Sequence, residues 1–441
     1  MNFPRYPKYK DSCVDWLGPV PEHWGLLPCR AIVHERSARN EDGKSENYLS
    51  LMANVGIIPY AEKGDIGNKK PEDLSKCKMV NRGDFVINSM NYGIGSYGVS
   101  AYDGICSPVY IVLTPQSHVV RPGFAFRVFE NRAFQGFAQS FGNGILEHRC
   151  SINWDVLKGI SVAVPPQPEQ DAILNFLDRE TAKNNALIAE QQRLIELLRE
   201  KRQAIISQAV SKGLNPNAPV KPSGIEWLGD VPAHWQVRRV KAVASFITSG
   251  PRGWSERVGE QGALFVQSGD LDDALGIRFE GLRRVIVHED AEAARTRLQS
   301  GDVVVCITGA KTGNVAVCAN APEPAYINQH LALIRPARCI SPEFLATILK
   351  SDLGRTYFDV SQYGLKQGLS LENVKDAPVL VPPIQEQVAI VNHLTSHGNA
   401  LQRLVVSGER TIELLQERRA ALISAAVNGQ IDVRHLQKDT A

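Results

Sequence analysis

Several stretches of this sequence contain side chains that could support catalysis, but none has the spacing that a known catalytic site requires. TGAKTGN (308–314) contains glycine, lysine and threonine, yet it does not match the G-x-x-x-x-G-K-[S/T] loop that binds nucleoside triphosphates. FGNG (141–144) is typical of a turn, and the ten histidines form no H-E-x-x-H or similar metal-binding spacing. The acidic stretches EDGKSE and GDLDD lack a matched lysine for a nuclease site. We therefore predict no catalytic residues, no metal ligands and no cofactor on this chain.

Charge and composition restrict the remaining functions. The net charge is only +2, so any contact with nucleic acid depends on local patches, because a strongly basic chain is absent. No apolar run approaches the roughly 18–20 residues that span a bilayer, and the N-terminus lacks the apolar core of a signal peptide. The eight cysteines contain no C-x-x-C pair, which favours reduced thiols. We predict a cytoplasmic protein without membrane contact.

The elements that position any functional loops are encoded twice. WLGPVPEHW (16–24) returns as WLGDVPAHW (227–235), and these copies hold four of the six tryptophans. NRGDFVIN (81–88) parallels LQSGDVVVC (298–306), each with a Gly-Asp turn before a β-branched strand, and SPVYIVLTP (107–115) parallels NQHLALIRP (328–336). PPQPEQ (165–170) and PPIQEQ (382–387) begin a stretch that aligns without gaps to Val210 and Val427, with nearly half of its positions identical. We assign the repeated tryptophans to packing, in preference to base stacking.

Each half is predicted to be a strand-rich block followed by a long helix, an α+β fold with two mixed domains related by pseudo-two-fold symmetry. The boundaries are 1–164 for block 1, 165–215 for the central helix, 216–381 for block 2 and 382–441 for the C-terminal helix. Within the blocks, AFRVFENRAFQGFAQSFG and SPEFLATILKSDLGRTYF are each predicted to form one helix.

The two long helices are predicted to pack on each other as an antiparallel coiled coil. Their apolar residues recur at helical spacing, and about 40 residues make a helix near 60 Å long, too long to bury its apolar stripe on one small block. Partner helices could cover the remainder. The pairing residues are Ile173, Leu177, Leu187, Leu194, Leu198 and Ile205 in the first helix, and Ile390, Leu394, Leu404, Leu415 and Leu422 in the second.

Antiparallel helices would relate the halves by a pseudo-two-fold axis, and duplex DNA has two-fold axes perpendicular to its length. When the two-fold axis of a protein coincides with one of DNA, two DNA-binding domains can each face one of two separated half-sites. The blocks differ outside the repeated motifs, as NSMNYGIGSYG (88–98) differs from ITGAKTGN (307–314), so the half-sites need not match.

These motifs, together with the helix ends LIELLREKRQAIISQAVSKGL and TIELLQERRAALISAAVNGQI, resemble the specificity subunit of type I restriction–modification enzymes over essentially the full length. The resemblance implies two target-recognition domains that read an interrupted, asymmetric sequence in double-stranded DNA. It also implies two modification (methyltransferase) subunits, which bind S-adenosylmethionine and methylate adenine, and motor-nuclease (restriction) subunits that use ATP. The family's specificity subunit has no catalysis of its own.

The methyltransferase motif itself is missing from this chain. Methylation of an amino group needs an Asp/Asn-Pro-Pro-aromatic loop around the flipped base. The two Pro-Pro pairs here, in VPPQP and VPPIQ, have neither flanking residue. Three alternatives stay open: a degenerate methyltransferase-related enzyme, a scaffold that reads no sequence, and an orphan subunit without partners.

Candidate DNA contacts are loop residues that carry paired donors and acceptors for bases, or cations and hydroxyls for phosphates. In block 1 these are Lys63, Asn68, Lys69, Lys70, Asn91, Tyr92, Ser96, Tyr97, Asn143 and Arg149. In block 2 they are Ser249, Arg252, Trp254, Lys311, Thr312, Asn314, Gln362, Tyr363, Lys366 and Gln367. For each residue the alternative is a solvated surface side chain.

Overall fold

The computed structural model describes residues 3–41, 43–66, 69–142, 151–362 and 368–436, and the chain divides into two compact units. Unit 1 comprises Met1–Gln191 and Arg410–Ala441, and unit 2 comprises Gln192–Glu409. The predicted segments treated each long helix as a division of its own. The compact units instead divide each helix near its middle, because each helix half packs with the block beside it.

Unit 1 contains strands and short helices followed by the first part of a long helix. Its strands are β1 (Tyr9–Lys10), β2 (Val20–Pro21), β3 (Gly25–Pro28), β4 (Val33–Glu35), β5 (Leu49–Met52), β6 (Gly56–Pro59), β7 (Lys78–Val80), β8 (Phe85–Asn88), β9 (Tyr97–Val99), β10 (Gly104–Cys106), β11 (Tyr110–Pro115) and β12 (Ser161–Val164). Its helices are α1 (Cys29–Ile32), α2 (Pro122–Glu130), α3 (Arg132–Ser140), α4 (Trp154–Leu157) and the first part of α5 (Gln167–Lys212).

Unit 2 repeats this organisation. Its strands are β13 (Val220–Pro222), β14 (Asp230–Pro232), β15 (Gln236–Arg239), β16 (Ala244–Ser249), β17 (Val258–Gly259), β18 (Ala263–Val266), β19 (Arg284–Val285), β20 (Val303–Cys306), β21 (Val315–Val317), β22 (Ala325–Ile327), β23 (Leu331–Pro336) and β24 (Pro378–Val381). Its helices are α6 (Val240–Val243), α7 (Ala291–Thr296), α8 (Pro342–Lys350), α9 (Asp352–Ser361), α10 (Leu371–Asp376) and the first part of α11 (Ile384–Val427). No helix among the described residues is long and apolar enough to cross a membrane.

The central sheet has the same strand order in both units, β4-β11-β8-β9 in unit 1 and β16-β23-β20-β21 in unit 2. The predicted Gly-Asp turns lead into the inner strands β8 and β20. Asp84 and Asp302 are almost fully buried there, and each is paired with an arginine, Arg36 at 2.7 Å and Arg335 at 2.8 Å. Because a buried carboxylate needs such a partner, the turn and the arginine fix the same strand geometry in both copies.

The two stretches predicted to be single helices each form two helices. The first breaks between α2 and α3 at Asn131, whose side chain caps α3 by accepting a hydrogen bond from the backbone N–H of Ala133. The second breaks between α8 and α9 at Ser351, which has an extended backbone. The Ser351 side chain makes no cap hydrogen bond to α9, and its hydroxyl donates to the Ile348 carbonyl of α8. Both breaks nevertheless fall at residue types that favour helix ends over helix interiors.

The repeated tryptophan motif holds the start of the long helix. In unit 1, His23 Nε2 lies 2.8 Å from a carboxylate oxygen of Glu169, and Trp24 Nε1 donates to the other oxygen at 3.0 Å. In unit 2, His234 Nε2 lies 2.8 Å from Glu386. The histidine of each tryptophan motif, joined in unit 1 by Trp24, therefore contacts the glutamate of the Pro-Pro-x-x-Glu-Gln motif, so the two motifs are in contact in both units.

The glutamine of each Pro-Pro-x-x-Glu-Gln motif makes a second, fully buried connection. Gln170 Oε1 accepts from the backbone N–H of Arg121 at 2.7 Å, and Gln387 Oε1 accepts from that of Ser341 at 2.8 Å. Each amide also donates to the carbonyl of the first proline of its own motif, at 2.8 and 2.9 Å. These bonds anchor each long helix to the segment before α2 or α8.

Packing accounts for three of the four repeated tryptophans. Trp24 and Trp235 are completely buried, and Trp16 packs edge-on against Phe134 with ring centroids 5.3 Å apart. Trp227 is half-exposed, so the assignment to packing is wrong for this residue. Trp16 is therefore a packing residue of block 1, whereas its equivalent in block 2, Trp227, is half-exposed.

Within each unit the two helix halves run antiparallel. In unit 1, Ile173 and Leu177 share a core with Leu422, and Glu180, later in α5, pairs with Arg418, earlier in α11. In unit 2, the core contains Ile206, Ala209 and Val210 with Ile390 and Leu394, while Arg199 pairs with Glu409 at 3.1 Å. The contacts advance along α5 as they recede along α11, which is the antiparallel pattern in both units.

The structure corrects the pairing residues in the middle of the helices. Leu187, Leu194 and Leu404 were predicted to pair, but they are 43%, 47% and 55% exposed. Ile195 and Val405 are buried instead. The predicted stripe drifts away from the contact because a helix has 3.6 residues per turn, so spacings of seven rotate around the helix over its length. Leu198, Ile205 and Leu415 are half-buried.

Candidate DNA interface

Three loops of block 2 come together at one end of its strands. Strands β18 and β22 are parallel neighbours, so their carboxyl ends, Val266 and Ile327, lie at the same edge. The loops that follow are joined by a hydrogen bond from the backbone N–H of Asn328 to the carbonyl of Val266 at 3.0 Å. The turn after β20 joins them through Ile307 N–H and the His330 carbonyl, at 2.9 Å. We call loops 267–270, 307–314 and 328–330 the block 2 tip.

Two exposed cations converge on the block 2 tip. The carbonyl of Gly269 accepts from Lys311 Nζ at 3.4 Å and from an Arg278 guanidinium nitrogen at 2.6 Å. Burial raises the pKa of the neighbouring Asp270 carboxyl overall, although a backbone hydrogen bond from Gln267 and the charge of Arg278 oppose the shift. A pair of adjacent cations suits a phosphate group.

Block 1 forms an equivalent tip from loops 53–56, 88–97 and 107–109, which we call the block 1 tip. The backbone N–H of Asn54 donates to the Gly95 carbonyl at 2.9 Å, joining the first two loops. At Gly98 an added Cβ would lie 2.9 Å from the Cα of Gly56, so only glycine allows this approach.

The two tips expose different chemistry. Block 1 exposes Met90, Ile94 and Val109, whereas block 2 exposes Lys311 and His330 at the corresponding end of its sheet. Apolar side chains can contact the thymine methyl group, while cations and amides suit phosphates and purine edges. Two similar scaffolds thus present unlike surfaces.

Comparison with known proteins gives the same assignment over most of the chain. A family model described as the type I restriction modification DNA specificity domain matches residues 41–197 and again residues 233–405. This chain belongs to that specificity family. The type I restriction enzyme EcoKI specificity subunit of Escherichia coli (strain K12) is 22% identical over 450 residues, which cover 94% of this chain and 90% of that protein. The duplicated match agrees with the duplicated sequence.

Solved structures share the fold of this specificity chain. One, from a study of complex assembly and conformational transition of the type I R-M system, has a TM-score of 0.71 at 15% identity, covering 93% of this chain and 99% of that one. The HsdS subunit from Thermoanaerobacter tengcongensis has a TM-score of 0.51 at 16% identity, covering 93% and 98%. At such identities the likeness concerns the fold.

The structure places three of the predicted block 2 residues of this specificity chain at the block 2 tip. Lys311 is exposed, while Thr312 and Asn314 are half-buried and bond to the carbonyls of Gly309 (2.6 Å) and Leu271 (3.2 Å). The latter two bonds stabilise the turn itself. DNA contact by these residues stays a prediction.

Other predicted block 2 residues lie elsewhere or face inward. Trp254 is fully buried against Phe265 and Tyr326, so it is unavailable to DNA and its prediction as a contact is wrong. Arg252 is exposed, and Ser249 and Gln362 are half-buried. Tyr363, Lys366 and Gln367 lie outside the described residues.

In block 1, two predicted contacts are core residues. Tyr92 is fully buried and donates its hydroxyl to the carbonyl of Phe129, and Ser96 is also buried. Tyr97 is half-buried against Tyr92, with ring centroids 5.7 Å apart. Only Asn91 of this group is exposed at the block 1 tip. The loop composition was polar enough to suggest DNA contact, but its aromatic rings pack inward because they bury a large apolar area.

The predicted lysines lie away from the block 1 tip. Lys63 is buried, with its ammonium donating to the Ile66 carbonyl at 2.5 Å and lying 4.9 Å from the Tyr60 ring, so the predicted DNA contact is wrong. Lys69 and Lys70 are exposed near Tyr60, beyond the end of the β5–β6 hairpin opposite to its 53–56 turn. Asn68, Asn143 and Arg149 lie outside the described residues.

Sequence reasoning missed Gln329 and His330 within the block 2 tip and Arg278 beside it. Arg278 gave little sequence signal because it is distant in the chain from Lys311. The two side chains are brought together by donating to the same Gly269 carbonyl. Gln329 and His330 belong to the repeated stretch NQHLALIRP, whose block 1 copy reads SPVYIVLTP. A difference at the start of an otherwise similar repeat was the available signal.

Proposed function

We propose that this chain is the DNA-recognition subunit of a type I restriction–modification complex and that each block reads one half of a two-part, asymmetric DNA sequence. The observation that carries the proposal is the identical sheet order of the two blocks combined with unlike tips. Two different DNA half-sites require chemically distinct surfaces at the equivalent strand ends of the two blocks. A scaffold that reads no DNA sequence does not require this difference.

The long helices are the proposed binding site for two modification subunits. In unit 2, Leu194 of α5 and Leu404 of α11 expose apolar side chains, which helices of another subunit could bury, and in unit 1 Leu187 is likewise exposed. We further propose that S-adenosylmethionine and ATP bind to the modification and motor-nuclease subunits, and that this chain itself is not catalytic and acts in the cytoplasm. Among the described residues, no group of three or more histidine, cysteine, aspartate or glutamate side chains is arranged to hold a metal ion.

Mapping of methylated adenines tests the proposal. The chain would be co-expressed with its candidate modification subunits, and methylated sites would be mapped across the host genome. We expect one interrupted sequence with a constant gap. Replacing residues 216–381 by the second block of another specificity subunit should change one half of that sequence and leave the other intact.

The alternatives predict different outcomes. A scaffold that reads no sequence would retain modification subunits but no specific duplex, an orphan subunit would retain neither, and a methyltransferase-related enzyme would transfer methyl groups when purified alone. Methylation at unrelated sites, or a swap that changes both halves, would contradict recognition by separate blocks.

A further inference from the structure

The turn 328–330 of block 2 carries a connected set of polar side chains. The Gln329 amide nitrogen lies 3.1 Å from His330 Nε2 and 3.4 Å from the Ser255 hydroxyl, and His330 Nδ1 contacts the Thr308 hydroxyl. These four side chains come from three separate loops. Only about one hydrogen bond in eight in proteins joins two side chains, so a chain of three such bonds on exposed loops indicates a positioned surface.

Gln329 is incompletely paired within this set. Its carbonyl oxygen Oε1 is buried and has no hydrogen-bond partner. Exchanging the amide oxygen and nitrogen would leave the nitrogen unpaired instead, so one amide atom lacks a partner in either orientation. Because the Ser255 bond is long and weak, the amide nitrogen can release Ser255 and keep one hydrogen on His330 Nε2. Its other hydrogen and Oε1 are then free to pair with a ligand.

The same turn exists in block 1 with different side chains. Tyr110 N–H donates to the Ser107 carbonyl at 3.1 Å, and Leu331 N–H donates to the Asn328 carbonyl at 3.1 Å, so the backbone bond is identical. Pro108 and Val109 occupy the places of Gln329 and His330. The fold therefore requires neither residue of the polar pair, and the position varies between blocks while its scaffold does not.

The surroundings of the turn favour DNA. Gln329 and His330 lie at the block 2 tip, where His330 bonds through its carbonyl to the turn that carries Lys311, and Lys311 shares the Gly269 carbonyl with Arg278. Lys311 and Arg278, which could bind phosphates, therefore lie close to the turn that carries the Gln329 amide. A glutamine amide can accept from adenine N6 and donate to adenine N7 at the same time.

We propose that Gln329, oriented by His330, is a specificity-determining residue that reads an adenine in the half-site of block 2. The proposal rests on the proposed function, because it assumes that block 2 reads DNA. His330 acts as a positioning residue, since both of its ring nitrogens are engaged by Thr308 and Gln329.

The test uses the full chain in complex with its modification subunits and a library of duplexes randomised across the block 2 half-site. Gln329→Ala should remove an adenine preference at one base position and weaken binding to the best site by about 5- to 150-fold, as expected for loss of a bidentate base contact. Gln329→Glu should shift the preference at the same position towards cytosine, because a carboxylate accepts from cytosine N4. Affinity for unrelated duplexes should not change.

Gln299→Ala is the matched control. Gln299 is exposed before β20, at the opposite end of that strand from the block 2 tip, and its replacement should leave the base profile intact. An unchanged profile for both Gln329 variants would overturn the proposal, as would an equal loss of affinity for every duplex. If the unaltered complex selects no sequence, recognition by block 2 fails, and the proposed function falls together with this inference.

Discussion

At the scale of single residues, the buried carboxylate Glu169 distinguishes the two copies of the framework. It accepts hydrogen bonds from the Tyr6 hydroxyl and from Trp24 Nε1, and it is only 6% exposed. Its counterpart Glu386 contacts His234 and is partly exposed, while the Trp235 indole nitrogen has no partner among the described residues. The equivalent residues Glu169 and Glu386 are therefore expected to contribute unequally to the stability of their units.

We predict that Glu169→Ala lowers the free energy of unfolding of unit 1 by about 2 to 4 kcal/mol, because two buried donors lose their acceptor. Glu386→Ala should cost unit 2 less than about 1 kcal/mol, because it removes one exposed pair. Hydrogen exchange resolved by unit measures both values. Equal losses would show that the hydrogen bonds of Glu169 contribute nothing beyond the histidine contact.

Asp432 makes the attachment of the C-terminal segment dependent on pH. Burial acts to raise the pKa of this carboxyl, but hydrogen bonds from Arg434 and its charge outweigh burial, and the pKa is lowered overall. A depressed pKa in the folded state stabilises the fold above the ordinary value of 3.8, and this contribution is lost as the pH falls through the lower folded value.

Unit 1 of the unaltered chain should therefore lose stability below about pH 4 more steeply than Asp432→Asn. The measurement is the unfolding midpoint of each protein in denaturant between pH 7 and pH 3. Asp376→Asn, at an exposed ion pair of unit 2, is the control for acid effects outside this segment. Parallel pH curves for Asp432→Asn and the unaltered chain would contradict the role of Asp432.

At the scale of elements, the long helices combine an inward and an outward apolar face. Ile195 is 6% exposed, whereas its neighbour Leu194 is 47% exposed on the same turn of α5. Adjacent residues point about 100° apart around a helix, so the two side chains report on different surfaces. This pair separates helix packing from subunit binding.

We predict that Ile195→Ala lowers the free energy of unfolding by about 2 to 4 kcal/mol, because it leaves a cavity in a packed site. Leu194→Ala should change stability by no more than about 0.5 kcal/mol and should weaken association with the modification subunits. Thermal unfolding and co-purification measure the two effects. If Leu194→Ala assembles normally and Ile195→Ala is as stable as the unaltered chain, the assignment of faces is wrong.

At the scale of the whole molecule, unit 1 is assembled from both ends of the described chain. Ile431 and Val433 are buried in its core, the Tyr9 hydroxyl donates to the Gly429 carbonyl at 3.0 Å, and Asp432 N–H donates to the Pro4 carbonyl at 2.8 Å. Gly429, with a φ of 70°, ends α11 beside Trp24, as Gly213, with a φ of 74°, ends α5 beside Trp235.

Truncation after Val427 should therefore destabilise unit 1 by about 3 to 6 kcal/mol through the loss of two buried side chains and leave unit 2 unchanged. Amide exchange resolved by unit is the measurement. Truncation after Leu436 keeps every described residue and is the control. Equal loss of protection in both units would show that the C-terminal segment stabilises more than unit 1.

The sequence by itself determined the duplication, the α+β blocks and the two long helices. Each of these depends on local or repeated patterns: the Gly-Asp turns, the helical spacing of apolar residues and the paired motifs around Glu169 and Glu386. Such patterns can be recognised in the sequence because turn chemistry and helical periodicity depend on a few neighbouring residues.

The tertiary structure alone decided which loop residues are exposed and which meet. Tyr92 and Trp254 occupy polar loops but are buried, because distant strands and helices supply the apolar surface that covers them. The block 2 tip exists because the parallel pairing of β18 and β22 brings together loops that are far apart in the chain. Side-chain burial and strand pairing are non-local, so no short stretch of sequence encodes them.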